Sequence, residues 1–501
     1  MAQERKSIYV GAPGFRGLNT QDSPVTQDSS FASIAENAII DKFGRIGARE
    51  GLNKLTSSTT PLGSSAGIES VFEFTKRDGT TIVFSTGNNK IFTGTTSLTD
   101  VTNSMTISAN NWKIISFNGD AYFFQRGHDA LEYTTSAGTI GVLSSDAPDA
   151  NEACAAFGRI WAGDVTGNKY TLHFSDTLDG DDWTGGTSGS LDLTTVWPTG
   201  FDEIVAIREF NNFLVIFGKQ SILLYSGASA PASMALSDVI TGIGCVARDS
   251  VQDTGTDLIF LSDSGVRSLG RTIQEKSNPI GNVSKNVRDD IIFNTGAETG
   301  NIKSAYSPEN AFYLLFFPSS SLVFCFDMRG TLEDGSNRVT TWPATKILCG
   351  TRGSDGTLYL GTAKGINDYS GYLDDTSPYT MKYYTQPLSF GDASRLKILK
   401  ELTFKVIGGQ GSTLVLNWGY DYTEAYAKQS ITIVNSSIAE YGIAEYNVAA
   451  SEYSASIIVD DARVKSTGSG TVATIGVDAI INNRSLSIQE LKTEALIGRL
   501  V

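Results

Sequence analysis

Between residues 77 and 369 the apolar positions recur as pairs of short runs, each pair opened by one turn and divided by a second. The first unit turns at Asp78-Gly79, runs through Ile82-Val83-Phe84, turns again at Gly87-Asn88-Asn89 and resumes at Ile91-Phe92. The same order follows at Asn118-Gly119 with runs 121–124 and 130–133, at Gly158 with 160–163 and 169–174, and at Asn211-Asn212 with 213–217 and 221–225. Three more units occupy 256–269, 311–326 and 355–369. The opening turns, near 79, 119, 158, 212, 255, 310 and 356, are spaced 40, 39, 54, 43, 55 and 46 residues apart. That is the period of a four-stranded propeller blade. Asn-Gly and Asp-Gly supply the positive φ that tight hairpins need. The near-continuous apolar runs fit inner strands covered on both faces by neighbouring blades. The pattern predicts an all-β chain built on a β-propeller of about seven blades, with six as the alternative. A simple sandwich would turn every ~8–12 residues without the longer period.

Outside this region the pattern changes. From about residue 379, apolar and polar residues alternate in 402–407, 413–418, 456–459 and 473–481, as in a small β-sandwich with one buried face per sheet. Residues 35–51 read as a hairpin turning at Lys42-Phe43-Gly44. The expected organisation is an amino-terminal platform segment (1–64), the propeller (65–378) and a carboxy-terminal sandwich or platform domain (379–501). One amphipathic helix is expected over 282–293, where Val283, Val287, Ile291 and Ile292 share a face, packed on the side of the propeller. The Tyr-rich segment 439–453 is polar and turn-prone. It reads as an exposed loop or a partner-binding tip.

Composition agrees with this and narrows the chemistry. Glycine occurs 51 times, charged residues make up 19% and apolar residues 40%. Net charge is −15, and residues 1–60 carry +1, leaving −16 for the remainder. A chain this acidic lacks the Lys/Arg stripes of a duplex-gripping protein, but an acidic wall lets DNA slide past. The start has no apolar signal segment, and no run approaches the 18 apolar residues of a spanning helix, so no membrane partner is expected. Four dispersed cysteines, Cys154, Cys245, Cys325 and Cys349, read as reduced core thiols of a protein assembled in a cytoplasm.

Candidate catalytic chemistry is sparse. The two histidines, His128 and His173, lie in different predicted hairpins with no second His or Cys at ligand spacing. No phosphate-binding loop is present, and Gly242-Ile243-Gly244 lacks a dinucleotide-site context. Residues 175–183 resemble the Asp-box turn of sialidase propellers, with Asp179, Gly180 and Trp183 in place. That box is a structural turn. Its four carboxylates are also a conceivable Ca²⁺ loop. A propeller glycosidase would need convergent arginines, for which Arg159, Arg208, Arg248 and Arg267 are the candidates, and a carboxylate pair that no spacing marks. No residue is assigned a catalytic, cofactor-binding or metal-binding role, and no cofactor is expected.

The amino-terminal stretches resemble the start of podovirus tail nozzle proteins, also called tail tubular protein B or head-to-tail stabilisation proteins. The matches are Gly17, Leu18 and Asn19, then Ala35, Asn37, Asp41, Gly44, Ile46, Arg49 and Gly51. The close of the chain, Ser485-Leu486-Ser487-Ile488-Gln489 and Gly498-Arg499-Leu500-Val501, is similar to family ends as well. The resemblance implies a structural virion protein rather than an enzyme. It implies a homohexamer on the tail axis below a dodecameric adaptor ring, with a lumen through which phage DNA passes without sequence-specific binding, and tail fibres or spikes nearby. Rival readings are a propeller glycosidase or sialidase, and a host-binding adhesin with the Tyr-rich 441–453 at its tip.

Overall fold

The structure, a computed structural model, describes residues 4–24, 27–57, 62–63, 67–103, 105–198, 200–275, 283–423, 425–433 and 459–500. The chain forms a seven-bladed β-propeller joined to a two-sheet terminal domain. Blades one to four are antiparallel meanders of four strands each, running from Ser70–Thr75 to Thr99–Asp100, Lys113–Phe117 to Thr139–Val142, Ala150–Ala156 to Gly189–Asp192, and Ile204–Phe210 to Ala235–Thr241. Among the described residues blade five has three strands, Gln252–Asp253, Leu258–Ser262 and Gly265–Ser268. Blade six spans Lys303–Ser307 to Asn337–Pro343. Blade seven combines Ile347–Arg352, Leu358–Thr362 and Gly365–Tyr369 with a strand from the other end of the chain, Leu52–Lys54.

Every paired run of the sequence is the central hairpin of one blade. The apolar runs are the second strands of their blades, not the innermost ones. Phe312–Phe317 and Leu258–Ser262 are buried at every position because neighbouring blades cover both faces. The innermost strands are more polar, since they border the propeller axis. Hairpin turns use the expected residues: Asn118 and Gly119 take φ of 49° and 92°, and Asn211 and Asn212 take 48° and 65°, positive at both central positions.

Leu52–Lys54 pairs antiparallel with Gly365–Tyr369, so the amino-terminal segment expected to end at residue 64 gives its last strand to the propeller and closes the ring. Beyond the outer strand of blade six the sheet continues into the terminal domain. Gly17 pairs in parallel with both Val339 and Phe31, and Phe31–Glu36 pairs with Tyr379–Thr385. That sheet goes on through Ala473–Ile481, Thr413–Tyr420 and Ala427–Thr432. A second sheet packs against it. Leu486–Leu500 lies at its centre, flanked by Arg395–Gly408 on one side and by Glu4–Gly11 and Ile46–Ala48 on the other. The shared core includes Leu402, Phe404, Leu416, Ile475, Val477 and Leu491.

The expected hairpin turning at 42–44 is present, pairing Ala38–Ile40 with Ile46–Ala48. The expected helix begins later and runs further than its pattern indicated: a 3-10 turn, Lys285–Val287, leads into Arg288–Ala297. Val283, Val287 and Ile291 seat it against Ile259, Tyr313 and Phe324 between blades five and six. The Tyr-rich segment and most of the expected strand at 456–459 lie outside the described residues.

Candidate functional site

The innermost strands bring charged side chains together on the propeller axis. Lys113 comes from blade two, Glu152 from blade three, Arg208 from blade four and Lys303 from blade six. Arg248 and Asp249 reach in from the connection between blades four and five. Asp249 is the hub. Arg248 Nη2 lies 2.6 Å from its Oδ2, Lys113 Nζ 3.3 Å from its Oδ1, and Lys303 Nζ 3.6 Å from its Oδ2. Its backbone carbonyl accepts from the Ser304 N–H and hydroxyl at 2.9 and 2.8 Å. Glu152, fully buried, is paired with Arg208 and lies 3.6 Å from Lys113 Nζ. Arg248 also donates to the carbonyl and side-chain oxygens of Asn151 and Asn111 at 2.7–3.2 Å, tying blades two and three to the same point.

Burial alone would raise the Asp249 carboxyl, but Arg248, Lys113 and Lys303 together hold it well below the usual carboxylate range. Burial lowers the Lys303 ammonium, partly offset by Asp249. Burial also pushes the Cys154 thiol up, so it is neutral beside Arg208 and Glu152.

Two cavities flank this cluster, and Asp249 lines both. One, of about 790 Å³, is bordered by innermost-strand residues of all seven blades and reaches exposed residues Asp253, Gly255 and Arg352. The other, of about 500 Å³, lies at the strand starts and is rimmed by ion pairs Arg126–Asp164, Lys169–Glu203 and Lys219–Glu203. The axis of a single copy is therefore occupied by side chains between two cavities.

The residues singled out in the sequence do not assemble into one site. His128 lies 5.8 Å from the Trp112 ring, and His173 sits half-buried on blade three, lowered by desolvation. Of the four arginines, only Arg208 and Arg248 share the axis. Arg159 is buried and bonded to Ser175, Thr177 and Thr187, and Arg267 to Ser262 and Ser264. The Asp-rich turn at 175–183 links the last two strands of blade three, and three of its four carboxylates accept hydrogen bonds from within the same connection. Asp176 accepts from Thr187, Asp182 from the Thr184 and Gly185 N–H groups, and Asp179 from the Asp181 N–H. Trp183 donates to the Gly180 carbonyl and packs against Phe124. All four cysteines are free. Sequence reasoning missed Lys113, Glu152, Asp249 and Lys303. The available signal was a single charge interrupting, or just preceding, a short strand ahead of each apolar run.

Of the residues carrying the nozzle resemblance, Gly17, Asn37, Arg49 and Gly51 lie where propeller meets terminal domain. Arg49, 1% exposed, forms a two-pronged pair with Asp374 at 2.8 and 2.6 Å and donates from Nε to Asn37 at 3.0 Å. Its guanidinium lies 4.3 Å over the Tyr379 ring of the terminal domain and 5.6 Å over Trp342 of blade six. Gly17 has φ +78°, and a Cβ there would meet the Val339 carbonyl at 2.5 Å; one at Gly51 would run into the Leu373 backbone. Asp41 accepts from the Phe43 and Arg45 N–H groups to set the hairpin turn.

No family model matches the chain, and no curated protein matches it. Among solved structures it is similar to a streptogramin B lyase, at 14% identity over 64% of this chain and 97% of that one, with a TM-score of 0.37. It is also similar to the extracellular domain of a putative hybrid two component system from B. thetaiotaomicron, at 12% identity over 62% of this chain and 41% of that one, with a TM-score of 0.36. Similarities this distant carry no argument about activity.

Proposed function

We propose that this chain is a structural protein of a virus particle, the tail nozzle of a short-tailed bacteriophage, and not an enzyme. Six copies form a ring below the adaptor, and the genome passes down the opening between copies. The observation that carries this reading is the joint around Arg49. Among the residues that resemble the nozzle family, Asn37 and Arg49 help fasten the amino-terminal hairpin, blade six and the terminal domain to one another. Such a joint ties propeller and terminal domain into one body, as a ring segment requires. The occupied propeller axis is consistent with it, because a conduit must then lie between copies.

The test is the mass and symmetry of the full chain co-assembled with the adaptor ring of its phage, read by mass photometry and negative-stain class averages. A six-fold ring with a central opening is expected. A chain that stays monomeric with the adaptor present, or that turns over fluorogenic glycosides, overturns the proposal.

A further inference from the structure

The axial cluster is not balanced. Its four cations, Lys113, Arg208, Arg248 and Lys303, face two carboxylates, Glu152 and Asp249, a surplus of +2 among the described residues. Arg248 is spent on Asn111, Asn151 and Asp249. Lys303 donates to the Glu69 carbonyl and the Ser70 hydroxyl at 2.6 and 3.2 Å, and its Nζ stands 3.6 Å from Asp249 Oδ2, beyond hydrogen-bond distance. Arg208 uses one guanidinium nitrogen, Nη1, on Glu152 and the Ile207 carbonyl. Among the described residues its Nε and Nη2 have no protein acceptor. Lys113, Arg208 and Lys303 all line the 790 Å³ cavity, with side chains only 15, 17 and 6% exposed. Charge held this far from bulk water is costly unless a counter-charge accompanies it.

We propose that this cavity is an oxyanion-binding site, in which Lys113, Arg208 and Lys303 take a carboxylate or phosphate group of a small molecule. The planar guanidinium offers two adjacent donors to two oxygens of one group, and the ammonium groups add point charges beside it. Val71, Ile115 and Ala155 border the same space and leave room for an apolar body on the ligand. At the rim, Asp253 adds a carboxylate, while Arg352 is already held by Glu309 at 2.9 and 3.1 Å. The bound group thus sits at the depth of the cluster rather than at the mouth. This inference stands apart from the nozzle reading and holds or fails without it.

The full chain is melted in rising inorganic phosphate, and separately in acetate, against chloride at matched ionic strength. A saturable rise in midpoint of about 2 °C or more is expected, and the tighter arm names phosphate or carboxylate. Cys154 lines the cavity beside Arg208 and Lys113. Cys154→Asp supplies a fixed carboxylate there and is expected to weaken the apparent affinity at least tenfold. Arg352→Gln, at the rim, is expected to change it less than twofold. No saturable rise in the native chain, unchanged affinity in Cys154→Asp, or an equal loss in Arg352→Gln overturns the proposal. Should Cys154→Asp fail to fold, selenate soaked into crystals of the native chain decides. Anomalous density among Lys113, Arg208 and Lys303 supports the site, and selenate found only elsewhere, or nowhere, overturns it.

Discussion

Asp249 shows what one side chain does for a ring of seven blades. It is the hub through which blades two and six and the connection between blades four and five are held at one point on the axis. Removing it leaves Lys113, Lys303 and Arg248 buried with less opposing charge. Losing one partner of such a group costs about 3–5 kcal/mol. Asp249→Ala is therefore expected to lower the unfolding free energy read from urea titration by that amount at neutral pH. The acid limb gives the sign independently. The folded carboxyl titrates well below the 3.8 of the unfolded chain, so the unfolded state takes up the proton first. The contribution of Asp249 is fully present above about pH 4 and is lost as pH falls through the lower folded value. Midpoints measured from about pH 5 to pH 2 should fall less steeply in Asp249→Ala than in the native chain. Parallel acid limbs would refute the assignment. Arg49 plays the corresponding part at the joint. Its two-pronged contact with Asp374 and its position over Tyr379 use the planar guanidinium, which a lysine cannot replace.

At the scale of the element, ring closure rests on three residues. Leu52–Lys54 supplies the outer strand of blade seven, and Leu52 is buried with Trp342, Leu358 and Tyr369. Leu52→Ala removes apolar contact at the closure and is expected to cost about 2–5 kcal/mol. Hydrogen exchange should show the loss first in Gly365–Tyr369, with blades two to four unaffected; protection lost uniformly around the ring would mean that closure is not local to this strand. The second strand of each blade was legible in the sequence because burial on both faces writes a continuous apolar run, as in Phe312–Phe317. The innermost strands were not, because the axis asks for polar residues. Lys303–Ser307 reads KSAYS, with nothing to mark it as a strand. The closing strand was illegible for another reason. Leu52 and Tyr369 are brought together by topology, and no local pattern records that. The merging of blade six with the terminal domain through Gly17 and Val339 is hidden in the same way. Of the axial site, only Arg208 and Arg248 stood out, and for a different chemistry. Its carboxylates and lysines are single charges whose convergence exists only once the ring is closed.

For the whole molecule the decisive quantity is where charge lies. The chain carries −15, and the six axial groups carry +2, so everything outside the axis carries −17. Four cations are turned inward, against Glu152 and Asp249, where a duplex cannot reach them. On the proposed reading a passing duplex meets the remainder, whose net negative charge repels phosphate. A nozzle needs this, since a wall that held DNA would slow its exit. Ordinary non-specific DNA binding has dissociation constants of about 1–100 µM at physiological salt and tightens as salt is lowered, because cations displaced from DNA drive it. The full chain is therefore expected to leave linear duplex DNA unretarded in a native gel at about 50 mM salt, with protein up to about 100 µM, the weak end of that range. Retardation that weakens with added salt would reveal a basic face on the assembled surface and count against an acidic conduit. An unretarded duplex together with saturable phosphate binding would separate the two properties: a repelling exterior, and a small-anion site confined to the axis.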